Sequence, residues 1–140
     1  MPVANVRIKK LEGERKESKV TQININANSG ILSVKKAKDK SIGDYLLVNY
    51  KYAVEYEPGL GRIAIEGSLW YYSPDLEKQY KEVEGKVELT SEAVTEISTV
   101  IIQDSLMESI DLARRLQLPP PMQLPKVEIK PKKLKFAMAS

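Results

Sequence analysis

The chain has 140 residues, 42% of them hydrophobic and 29% charged, which suits one domain with a real core and is not the composition of a disordered polymer. It contains no Cys and no His. That excludes disulfides, zinc ribbons, thiol nucleophiles, Ser-His-Asp triads and imidazole bases, so most routes to catalysis at neutral pH are closed. The net charge of +3 is unevenly spread. Residues 1–40 hold ten basic and four acidic side chains, residues 41–125 seven and fourteen, and residues 126–140 five and one. Basic ends on an acidic body fit a polyanion-binding arm, or solvated lysines on exposed strands. Apolar runs such as Val100-Ile101-Ile102 are far short of a membrane span, and Met1–Lys10 does not read as a signal peptide, so a cytoplasmic protein with no membrane insertion is expected.

In chain order, Asn5–Leu11 reads as a short strand and Glu12–Lys19 as a charged connection. Lys19–Ala27 alternates, with Ile23, Ile25 and Ala27 on one face, and Asn28-Ser29-Gly30 signals a turn before a short strand over Ile31–Lys35. Ala37–Gly43 reads as a polar loop. From Tyr45 to Tyr56 every even position is apolar or aromatic (Leu46, Val48, Tyr50, Tyr52, Val54, Tyr56), the pattern of a long strand with one buried face. Glu57-Pro58-Gly59-Leu60 is a turn, and Arg62–Tyr72 alternates again, so the two runs form an antiparallel hairpin. The charged stretch from Ser73 carries no clear pattern until Val87 and Leu89, which extend a strand.

Thr90 or Ser91 then caps a long helix reaching about Leu116, with Glu92 near its positive end. Its apolar stripe does not read as one covering surface: Ala93, Val94, Ile97, Val100 and Ile101 share one face, whereas Leu106, Met107, Ile110, Ala113 and Leu116 fall mostly on the other. This implies a kink near Gln103–Ser105 or burial against two surfaces. Leu106, Met107, Ile110 and Ala113 are therefore candidates for an interface between subunits. The prolines of Leu118–Pro125 enforce an extended exit. A single domain over residues 1–125 is expected, followed by a basic tail over 126–140.

Most apparent motifs dissolve on inspection. Gly59-Leu60-Gly61-Arg62-Ile63-Ala64 matches a dinucleotide fingerprint but lies in a hairpin and opens no helix. Asn24, Asn26, Asn28 and Gly30 lack the charge of a calcium loop. Asp104 with Glu108 reads as a solvated helix face. No catalytic residue, metal site or cofactor is expected. Two features remain. The hairpin concentrates the aromatic residues, and Tyr56, Trp70 and Tyr72 are candidates for binding apolar peptide segments. Lys126, Lys130, Lys132, Lys133 and Lys135 are candidates for phosphate contacts with RNA.

The helix end and its exit, Glu108-Ser109-Ile110-Asp111-Leu112-Ala113-Arg114-Arg115-Leu116-Gln117-Leu118-Pro119-Pro120 followed by Met122-Gln123-Leu124-Pro125-Lys126-Val127, resemble the SecB export chaperones, as does the order of elements over roughly Val3–Ile129. The resemblance implies an α+β fold, with a curved antiparallel sheet of about four strands and one long helix across it. It also implies a non-catalytic homo-oligomer, dimer or tetramer, that holds unfolded polypeptide in apolar grooves. The basic ends depart from the acidic character usual in that family. They support a second class of function, a ribosome-associated or rRNA-binding factor that dimerises through its body and anchors by its termini.

Overall fold

The structure, a computed structural model, describes residues 3–17, 22–121 and 134–137. Four long strands, β1 (Val3–Arg15), β2 (Asn24–Asp39), β3 (Gly43–Glu57) and β4 (Gly61–Tyr71), make one antiparallel sheet in the order β1-β4-β3-β2. A short helix α1 (Leu76–Gln79) leads to a hairpin of β5 (Tyr80–Val83) and β6 (Lys86–Leu89). The long helix α2 (Ser91–Arg115) then crosses the sheet, and β7 (Leu134–Ala137) pairs with β6 to complete a second sheet, β5-β6-β7. This is the α+β architecture expected, a four-stranded antiparallel sheet with one long helix across a face.

The β3–β4 hairpin forms as the alternation predicts, with Tyr56 opposite Gly61 and Leu46 opposite Tyr71. Gly59 takes φ 60° in the turn and Gly61 opens β4, so the glycine-rich run is hairpin geometry. The earlier strands are longer than their sequence suggests. β1 continues through Arg15 instead of giving way to a connection at Glu12. Asn28-Ser29-Gly30 is no turn: those residues pair in unbroken register with Ala53, Tyr52 and Lys51 of β3. The aligned apolar row on β3 offers a complete ladder there, and that outweighs the weak strand propensity of Asn, Ser and Gly. The real reversal comes at Lys40–Ile42, where the Asp39 carboxylate accepts from the amides of Ser41 (2.8 Å) and Ile42 (3.3 Å).

The register sorts the two faces of the sheet. On the helix side lie the rows Ile8–Gly67–Tyr50–Ile31, Leu11–Ile65–Tyr52–Ser29, Gly13–Ile63–Val54–Ala27 and Arg15–Gly61–Tyr56–Ile25. The other face alternates charge across strands, Lys10–Glu66–Lys51 and Glu14–Arg62–Glu55, an arrangement suited to water. Gly67 has a packing reason to be glycine. A Cβ there would strike the Arg7 carbonyl and lie 2.6 Å from the Tyr50 hydroxyl.

Helix α2 is one uninterrupted helix over Ser91–Arg115. Its buried stripe does not change sides; it continues in small residues as Ser98, Ser105, Ser109 and Ala113. Opposite large tyrosines on the sheet, serines let the helix approach closely, and the polar letter hides the buried position. Thr90 caps the helix, its Oγ1 accepting from the Ala93 amide (3.2 Å) and donating to Gln79 Oε1 (2.7 Å). The far end closes with Gln117 at φ 56° and a bond from the Leu118 amide to the Ala113 carbonyl (2.8 Å), a Schellman-type stop reinforced by three prolines. Arg15 on β1 ties this end down by donating to the carbonyls of Leu116 and Gln117.

Two apolar clusters result. The first joins Val34, Leu46, Val48, Tyr50, Leu69 and Tyr71 of the sheet to Leu76, Val87, Leu89 and the first half of α2. The second joins Tyr52, Val54, Tyr56, Leu60, Ile63 and Ile65 to Ala113 and Leu118.

Candidate polypeptide-binding surface

The three aromatic candidates are not brought to one surface. Tyr56 is on the helix side, 1% exposed, and its hydroxyl donates to the Pro119 carbonyl at 2.7 Å. It therefore helps hold the exit from α2 and is not free to meet a peptide. Trp70 is half-buried on the opposite face, stacked on Tyr45 with ring centroids 4.3 Å apart. Tyr72 is half-buried just past the end of β4.

The interface candidates divide as well. Met107 is 71% exposed, and Leu106 and Ile110 are half-buried. Ala113, by contrast, is fully buried in the second cluster, so it belongs to the sheet-facing stripe and cannot meet another subunit. Leu106, Met107 and Ile110 are left as an apolar strip near the far half of α2.

Apolar side chains that stay partly exposed line the two outer strands of the sheet on the side where α2 lies. A single helix is narrower than four strands: α2 runs across all of them, with Leu112 and Leu116 lying over Gly13 of β1, and leaves stretches of the outer rows beside it partly bare. On β1 these are Ile8 (36% exposed) and Leu11 (45%), in the helix-side rows by register. On β2 they are Ile25 and Ile31, packed at the margins of the second and first clusters. Their period of two was visible in the sequence for Ile23, Ile25 and Ala27. That they stay uncovered depends on where the helix settles.

Beneath the helix the chemistry is that of buried phenols. Burial pushes Tyr50 up to about 12, with the Asp104 and Glu108 carboxylates adding to the rise. Burial likewise raises Tyr56 to about 12, with Tyr52 adding. Burial raises Tyr71 further, with Glu96 adding by charge and by the hydrogen bond its Oε1 accepts from the Tyr71 hydroxyl at 3.1 Å. Among the described residues, the buried hydroxyls of Tyr50, Tyr52 and Ser105 find no hydrogen-bond partner. These phenols stay neutral at ordinary pH and are structural. Among the described residues, no group of three or more Asp or Glu could hold a metal ion, and no helix is long and apolar enough to cross a membrane.

Of the five lysines considered for RNA contacts, Lys126, Lys130, Lys132 and Lys133 lie outside the described residues. Lys135 lies in β7, at the register position opposite Glu88 of β6.

No protein-family model matches the chain, and a search of curated proteins finds no match. Among solved structures the chain is similar to the SecB-like chaperone Rv1957 of Mycobacterium tuberculosis, determined in complex with a ChAD peptide from the Rv1956 HigA1 antitoxin. The TM-score is 0.50 at 12% identity, covering 93% of this chain and 91% of that one. The fold is therefore SecB-like.

Proposed function

We propose that this protein is a non-catalytic, homo-oligomeric, chaperone-like holdase that binds extended or unfolded polypeptide. The observation that carries the reading is the pair of partly bare apolar rows, Ile8 with Leu11 and Ile25 with Ile31, flanking α2 on a SecB-like sheet. Rows of that kind suit extended chain, whose alternate side chains reach one face while its backbone stays in reach of a strand edge. The peptide bound by the structurally similar chaperone supports the same reading. Self-association through Leu106, Met107 and Ile110 would cover the apolar strip on α2.

The test is suppression of aggregation. The protein should protect a chemically unfolded client at near-stoichiometric ratio without nucleotide. Replacing Ile8 and Leu11 together by Asp should at least halve that protection, since both are exposed and their loss leaves the core intact. Light scattering should give a mass above 15.8 kDa that falls when Met107 and Ile110 become Asp. Protection no better than that of an inert protein at equal mass would remove the reading.

A further inference from the structure

Strand β7 stands apart from the other strands in how it is attached. It has four residues and, among the described residues, pairs with β6 alone, which it joins without a hairpin; residues 116–133 intervene after α2, with prolines at 119, 120, 121, 125 and 131. A strand held so has little local reason to remain paired. Yet its register with β6 is regular: Leu134 opposite Leu89, Lys135 opposite Glu88, Phe136 opposite Val87 and Ala137 opposite Lys86. Val87 and Leu89 are fully buried in the first cluster, whereas Glu88 is not. The apolar residues of β7 thus share register positions with the inward residues of β6, and its lysine shares one with a carboxylate. The surrounding segment, residues 75–92, holds six acidic and three basic side chains, while residues 126–140 hold five basic and one acidic. Charge and register agree on the same kind of occupant.

We propose that the β6 edge is a strand-accepting site for extended polypeptide of apolar–basic–apolar pattern, and that β7 is the occupant the chain supplies to itself. The proposal rests on the polypeptide-binding reading above and gives it a sequence preference and a brake. A tethered strand acts at an effective concentration of about millimolar, so it suppresses weak ligands and yields to those that pair better or engage the apolar rows as well. If β7 fills the edge about nine-tenths of the time, a free segment binds about tenfold more weakly than the bare edge would allow.

The experiment uses the full chain and a fluorescein-labelled peptide of residues 131–140 as probe, read by anisotropy. In a variant with Lys135→Pro and Phe136→Pro, β7 can no longer pair. This variant should bind the probe about tenfold more tightly than the native chain. Those amides of Lys86–Leu89 that face β7, alternate ones along the strand, should exchange hydrogen at least tenfold faster, and the probe should restore their protection. Adding Glu88→Lys should weaken probe binding several-fold. Equal probe affinity in native and proline-substituted chains, or unchanged protection of β6, overturns the proposal. So does an oligomer whose mass collapses in the proline variant, because the occupant would then come from a second copy. Intact suppression of aggregation beside a failed edge leaves the holdase standing. A working edge without suppression by any variant removes the holdase and keeps the edge.

Discussion

The two halves of α2 rest on different materials. Near its start, Ala93, Val94, Ile97 and Ile101 share a cluster with Val34, Leu46, Val48 and Leu69, the rings of Tyr50 and Tyr71, and Leu76, Val87 and Leu89. Further along, the helix offers Ser105, Ser109 and Ala113 to Tyr52, Tyr56 and their neighbours, and the hydroxyls of Tyr52 and Ser105 find no partner among the described residues. The first half is held by apolar area. The second is held by close approach and by polar ties at its end: Arg15 to the last carbonyls, Tyr56 to Pro119, and the Leu118 amide to Ala113. A helix can thus lie flat across a sheet with two unlike anchors, one of bulk and one of fit.

The largest effect should come from the bulk anchor. Ile97→Ala removes a fully buried side chain and should cost about 2–5 kcal/mol by urea denaturation. A loss under about 1 kcal/mol would mean that the first half is no more firmly held than the second. Tyr56→Phe should cost about 1 kcal/mol, the value of one hydrogen bond to a carbonyl. It should also soften the alkaline limb of stability. Tyr50 and Tyr56 titrate near 12 when folded and about 10 when unfolded, so between these values the native state holds more protons. Stability should be flat below about pH 10 and fall as pH rises toward 12, and a melting series across that range checks it. The smallest effect is expected at Ser105→Ala. That change deletes an unpartnered buried hydroxyl and should shift stability by less than about 1 kcal/mol, toward gain. A loss of 2 kcal/mol there would show that the serine makes a bond in solution and that the second anchor is polar throughout.

The hairpin and the helix were legible because their signals are local: strict alternation from Tyr45, a Pro-Gly turn, a Thr cap, and prolines after the last turn. The order of elements was enough to suggest the fold. What misled was residue identity standing in for environment. Serines at 98, 105 and 109 look like a solvated face in the sequence, which breaks the apparent stripe and turns Ala113 outward, whereas all four are buried. Asn28-Ser29-Gly30 looks like a turn because its strand character is supplied by β3 and not by itself. The candidate surface was less legible still. Tyr56, Trp70 and Tyr72 were singled out as aromatic, but exposure is set by the helix, which buries Tyr56 and leaves Ile8, Leu11, Ile25 and Ile31 at its margins. The pairing of β7 with β6 bridges more than forty positions, beyond the reach of any periodicity.

Strand β1 ends the large sheet, so thirteen residues of backbone line an outer edge. A straight edge of that length would be a template on which chains could stack without limit. Two departures from regular register, between Ala4 and Arg7 and between Ile8 and Lys10, with Asn5 at φ 52°, break it into short reaches. Lys9, Lys10, Glu12, Glu14 and Arg15 place a charge at almost every step beyond them. The irregular strand is thus a safeguard against fibre growth. Straightening it, even with residues of better strand propensity, would exchange solubility for order.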